Sequence, residues 1–171
     1  STLSSSHTPG AVFVVGSTEV SYTVSDIHGN ETTASFLVTV SDQQAPQFIG
    51  LPERVTVPSE AGLCTAMVSW SAPTATDNCG VAGITLTHAS GDQFPVGDTQ
   101  VDLTATDIHG NETLTSFIVT VEDLESPLIL DTPADIALAN DAGSCGAVAS
   151  WIDATATDNC DVDTLTSSHT S

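Results

Sequence analysis

Val101-Asp102-Leu103-Thr104-Ala105-Thr106-Asp107-Ile108-His109-Gly110-Asn111-Glu112-Thr113-Leu114-Thr115-Ser116-Phe117-Ile118-Val119-Thr120-Val121 is the stretch that decides the fold. Val101, Leu103 and Ala105 alternate with Gln100, Asp102 and Thr104. Phe117, Val119 and Val121 alternate with Ser116, Ile118 and Thr120. A period of two in segments rich in Val and Thr marks strands with one buried face. The break from Asp107 to Asn111 is turn chemistry: Gly110 accepts a positive φ, and Asp and Asn bind their own backbone. The stretch predicts an antiparallel hairpin.

Moving outward, the same letters return. Asp26-Ile27-His28-Gly29-Asn30-Glu31-Thr32 is repeated without change as Asp107 to Thr113, at a spacing of 81 residues. Thr74 to Cys79 returns as Thr155 to Cys160, and Pro46, Pro52, Cys64 and Trp70 return as Pro127, Pro133, Cys145 and Trp151. A fixed period without insertions means one folding unit used several times. Further alternating runs at Arg54 to Val57, Thr65 to Trp70 and Ile84 to Leu86 bring the count to six or seven short strands per period. That pattern predicts tandem antiparallel β-sandwiches of immunoglobulin type.

The Pro-containing links at 40–46 and 121–127 set the boundaries. Residues 44–123 form a complete unit, residues 1–43 the C-terminal half of a unit before it, and residues 124–171 the N-terminal half of one after it. A half-sandwich leaves an apolar face and strand edges uncovered. The segment reads first as a piece of a longer array. The second explanation is a head-to-tail filament in which neighbouring molecules complete each other's halves. Either way the expected partners are further copies of the same repeat.

Composition narrows the function. Asp and Glu number 22 against a single basic residue, Arg54, and the formal net charge is −21. Nucleic acid and anionic membrane surfaces are recognised with Lys and Arg, so neither is expected as a partner. No apolar run is long enough to span a bilayer. Four cysteines, two per period at a fixed phase, favour disulfides and an oxidising compartment over a zinc site, which wants close cysteine pairs.

At this point the residues resemble a known family. Thr76-Asp77-Asn78-Cys79, Phe94-Pro95-Val96-Gly97-Asp98-Thr99, Thr104 to Asn111 and Ser116 to Val121 together are similar to the hyalin repeat, or HYR domain. The resemblance implies an immunoglobulin-like fold in extracellular, often very long, multi-repeat proteins of adhesion, matrices and surface fibres, with no enzymatic activity. Many members carry two further cysteines, before the positions of Pro52 and Ser116; here Leu51 or Gly50 and Thr115 stand there. The resemblance then leaves Cys64–Cys79 and Cys145–Cys160 as the expected bridges.

Acidic loops supply the candidate sites. The incoming link with Asp42, the loop with Asp77 and Asn78, and the hairpin turn with Asp107 and Asn111 fall at one end of the sandwich. The next junction gathers Asp123, Glu125 and Asp158. Oxygen-only clusters suit a hard cation, calcium first, which would cancel carboxylate repulsion and stiffen the joint. Asn30 and Asn111 sit in Asn-Glu-Thr, the N-glycosylation pattern, and a glycan there would compete with a cation at Asn111. The five histidines fall at two phases, too far apart within a unit for a metal site or a Ser–His–Asp triad. Trp70 and Trp151 are expected in the core. The chain therefore reads as a structural segment of a secreted fibre or cell-surface adhesion protein. The alternatives are a carbohydrate- or protein-binding module and an accessory domain of a larger secreted enzyme.

Overall fold

The computed structural model describes residues 2–169 and is all-β, with no helix among them. The first strands are β1 (Thr2–Ser5), β2 (Gly16–Ser25), β3 (Glu31–Val40), β4 (Gln47–Ile49) and β5 (Arg54–Pro58). Next come β6 (Thr65–Met67), β7 (Thr74–Thr76), β8 (Val81–Leu86) and β9 (Gln93–Pro95). β10 (Gly97–Asp107), β11 (Glu112–Glu122), β12 (Leu128–Leu130) and β13 (Thr155–Thr157) complete the order. Contacts gather them into two compact units. One holds the chain up to Phe48 with 75–84 and 105–113, and the other holds 49–74, 85–104 and everything from Leu114 on.

In the first unit β1, β2 and β3 form an antiparallel sheet in that order. β2 and β3 pair from Gly16↔Val40 to Ser25↔Glu31, the hairpin that the alternation requires. Its turn closes as the residue types dictate. Asp26 Oδ1 accepts the backbone N–H groups of His28 and Asn30 at 2.8 and 2.9 Å, and Gly29 takes φ 85°. Asp107 repeats the motif in the later hairpin, with His109 and Asn111 both at 2.8 Å and Gly110 at φ 93°.

The four-stranded sheet runs β5-β11-β10-β8, with β5 parallel to β11 from Arg54↔Ile118 to Pro58↔Glu122. The immunoglobulin-like sandwich is built on it. In the second unit, Val101, Leu103, Phe117, Val119 and Val121 are buried together with Ala66, Val68 and Phe94 from the β6–β9 side. Burying side chains of this size is worth about 1.5–3 kcal/mol each. Trp70 packs edge-on against Phe94 and Phe117, with ring centroids 5.9 and 5.2 Å apart, while its own ring stays partly exposed. The strand expected from Thr65 to Trp70 pairs with β9 only as far as Met67.

Residues from 124 onward carry the sequence phases of β4 to β7 and form less structure. β12 pairs with β13 as β4 pairs with β7. The counterparts of β5 and β6, at 135–139 and 146–148, form no strand.

Candidate functional site

The link after β3 brings Asp42 against the loop after β7 and the tip of the β10–β11 hairpin, all within the first unit. One carboxylate oxygen each from Asp42, Asp77 and Asp107 lies within 4.8 Å of the others. Asp107 is buried, and its oxygens accept backbone and side-chain N–H groups of the turn. Burial pushes the Asp107 carboxyl up. The Asn111 side chain and the N–H groups of Asn111, His109 and Gly110 outweigh it, so the group sits below the ordinary carboxylate range. Asp42 is lowered too, first by the Gln44 N–H, against burial, with help from Cys79, Asn78 and His109.

Asp77 is different. Its Oδ1 accepts the N–H groups of Cys79 and Gly80 at 2.9 and 3.1 Å, but its Oδ2 is buried without a hydrogen-bond partner. A buried carboxylate oxygen left unpaired costs free energy, which a hydrogen-bond donor or a cation would offset. Asn111 does not reach outward, because its amide donates to Asp107 Oδ2 at 2.7 Å. Asn78 donates to the Cys79 sulfur at 3.2 Å. Asn30 likewise donates to Asp26 and is exposed, so both Asn-Glu-Thr amides are engaged within their turns.

The sequence reading missed His109. Its Nδ1 lies 3.2 Å from the buried Asp42 carboxylate. A hairpin-tip histidine one residue before Gly110 was legible only as a turn residue, since its partner lies 67 positions earlier.

The second unit shows the corresponding cluster one period on. Asp123, Asp158 and Cys160 approach within 4.8 Å, and Asp158 Oδ2 is again buried and unpaired. Glu125 stands apart from this group and accepts the Gly62 N–H at 2.8 Å. Asn159 donates to the Leu63 carbonyl at 3.0 Å and to Asp123 at 3.2 Å.

The disulfide overturns the expected pairing. Cys64 does not join Cys79, and Cys145 does not join Cys160; Cys64 joins Cys160, with Cα atoms 4.6 Å apart, and Cys79 and Cys145 are free. The physical reason lies in the strands between. From Cys64 the chain runs out through β6 to β7, and β7 is fixed by pairing with β4, so Cys79 arrives beside the Asp42 link. Cys64 stays in the turn that Glu125 and Asn159 hold, and the phase-equivalent of Cys79 reaches it from the next period.

Comparison with known proteins agrees with this architecture. The HYR domain profile matches residues 1–40 and 41–121. The chain belongs to the HYR domain family. It is 35% identical over 162 residues to Hyalin of Lytechinus variegatus, covering 91% of the chain and 31% of that protein. Hyalin of Strongylocentrotus purpuratus is 35% identical over 155 residues, covering 88% of the chain and 13% of the relative. A mouse protein, Sushi, von Willebrand factor type A, EGF and pentraxin domain-containing protein 1, is 35% identical over 107 residues, 61% of the chain and 3% of its own length. The HYR chain thus spans less than a third of each of these relatives. The Cys64–Cys160 bridge joins the HYR match at 41–121 to a residue beyond that match.

Proposed function

We propose that this chain is a structural segment of an extracellular fibre or cell-surface adhesion protein, with HYR repeats in series and calcium seated at their junctions. One observation carries the reading: the Cys64–Cys160 disulfide ties the repeat matched at 41–121 to the residues that follow it. A disulfide of this kind persists in an oxidising, extracellular setting. A covalent joint between repeats serves a protein whose repeats keep a fixed succession.

The junction chemistry supports the cation. Three carboxylates with one buried, unpaired oxygen match a hard divalent ion, and calcium tolerates their irregular arrangement. The residues that would hold it are Asp42, Asp77 and Asp107, with Asp123 and Asp158 one period later. No catalytic role goes with this reading. Trp70 is packed on Phe94 and Phe117 and offers no aromatic platform of the sort a carbohydrate-binding module uses.

Antibody against the chain, applied to intact and to permeabilised source cells, tests the reading. Labelling of the intact surface or its matrix is expected. Labelling only after permeabilisation sinks it.

A further inference from the structure

We propose that Asp42, Cys79 and His109 form a site for a thiophilic divalent ion, zinc first. The site goes beyond the calcium reading and stands without it, since only Asp42 is common to the two ligand sets.

One ligand atom from each of the three residues lies within 4.8 Å of the others. They come from three segments of the first unit: the link after β3, the loop after β7 and the β10–β11 turn. Backbone bonds hold those segments together. The Ile108 N–H donates to the Gly80 carbonyl at 3.1 Å, which ties the hairpin tip to the loop that carries Cys79. Thr113 Oγ1 donates to the Pro46 carbonyl at 2.6 Å, which ties the same hairpin to the link. Each donor is then held in place. Asp42 Oδ1 accepts the Gln44 N–H at 3.2 Å and leaves Oδ2 facing His109 Nδ1, also at 3.2 Å. The Cys79 N–H is bound by Asp77 Oδ1 at 2.9 Å, which fixes the backbone that bears the sulfur. The Asp42 side chain is 3% exposed, Cys79 is half-buried and His109 lies at the surface, so an ion enters from the histidine side.

The donor set decides the ion. Thiolate, imidazole and carboxylate together suit zinc, whereas calcium takes oxygen. In a tetrahedral zinc site the ligand atoms stand roughly 3.3–3.8 Å apart. The Asp42–His109 pair is already near that separation. Three protein ligands leave a fourth position for water. Binding releases the thiol proton to solvent, so that the ion sits on a thiolate.

The surrounding charge favours a cation. Carboxylate oxygens of Asp77 and Asp107 lie within 4.8 Å of one from Asp42, and Asp77 Oδ2 is buried without a hydrogen-bond partner. The cluster of Asp123, Asp158 and Cys160 lacks this chemistry. Its sulfur is held in the disulfide to Cys64, and no histidine joins it among the described residues. Of the two clusters, the one at Asp42 is therefore the thiophilic one.

The test uses the full chain carrying Cys145→Ser, which removes the other free thiol. Cobalt(II) is the probe, added without air or reductant. A sulfur-to-cobalt charge-transfer band and the intense visible bands of tetrahedral cobalt are expected, and one equivalent of zinc bleaches both. Adding Cys79→Ser abolishes the charge-transfer band, and His109→Gln or Asp42→Asn weakens cobalt binding at least tenfold. Absence of the band overturns the proposal, as does a band that survives Cys79→Ser. On the unsubstituted chain, one equivalent of zinc slows Cys79 alkylation at least tenfold, read by peptide mass; an unchanged rate counts against the site. In the protein taken from its source, Cys79 maps as a thiol, and a disulfide at Cys79 overturns the proposal. Calcium is read separately by Tm. A calcium shift without a cobalt band defeats the thiolate site and leaves the calcium reading standing, whereas a cobalt band without a calcium shift defeats calcium alone.

Discussion

Phe117 and Phe36 occupy the same place in two copies of one sequence pattern, yet Phe117 is 3% exposed and Phe36 is 51% exposed. The strands that bear them, β11 and β3, have nearly the same length and each pairs with the strand before it in its hairpin. Local sequence is therefore enough for the hairpin and insufficient for the core. What differs is the layer opposite, which β6 and β9 supply for Phe117. Hairpin hydrogen bonds form wherever the alternation and the Asp-x-x-Gly-Asn turn occur. Burial requires an opposing layer.

The largest break in that comparison comes from opening the bridge. Closing a loop of 96 residues contributes on the order of 4–5 kcal/mol in the chain-entropy picture. Cys64→Ser, followed by hydrogen exchange, is expected to strip protection from residues 124–169 and leave the Phe94, Leu103 and Val119 core protected. Equal loss in both regions would mean that the two do not differ in their dependence on the bridge.

Side-chain truncation is the next test. Phe117→Ala is expected to cost about 3–5 kcal/mol in denaturant unfolding. Phe36→Ala in the monomer is expected to change stability by about 0.5 kcal/mol or less. A large cost for Phe36 would show that its face is closed in solution.

Calcium sharpens the comparison at the junctions. Saturation at a hundred times the dissociation constant adds about 2.7 kcal/mol by linkage. Chelator is expected to lower Tm in the wild type and to lower it less in Asp77→Asn, in which the Asp42–Asp77–Asp107 cluster loses a carboxylate while Asp123 and Asp158 remain. The hairpin turns differ by a smaller amount. Asp107→Ala removes the buried acceptor of the His109 and Asn111 N–H groups, at about 1–3 kcal/mol, whereas Asp26 is exposed and Asp26→Ala costs less.

The pH dependence follows with its sign. The lowered pKa values of Asp107 and Asp42 place their stabilisation above the unfolded value of about 3.9. It is lost as pH falls through their folded values, so acid unfolding begins near pH 4 and completes below it. Thermal melts at successive pH values check this. The smallest effect is kinetic. Burial and the charges of Asp42, Asp77 and Asp107 hold the Cys79 thiol up, so calcium is expected to hasten its alkylation. An unchanged alkylation rate would place the ion elsewhere.

Much of this was legible from residues alone. The hairpins and the turn glycines follow from Val101 to Val121 and its earlier copy. The gathering of Asp42, Asp77 and Asp107 follows from which loops share one end of a sandwich. Two things were not legible. Residues 135–139 alternate like β5 and still form no strand, because alternation states a preference and only a neighbour realises it. The cysteine pairing was misread because Cys64 and Cys79 are near in sequence, whereas β6 and β7 carry the chain between them away from a return. Spacing suggests bridges inside a period; topology decides that they cross between periods.

The bridge has a mechanical consequence. Fully drawn out, 96 residues would span roughly 300 Å. Locked between Cys64 and Cys160, they hold their two attachment points within 4.6 Å whether folded or not. Force applied along the molecule is thus short-circuited past most of a repeat, and the reserve of slack that ordinary domains release on unfolding is withheld.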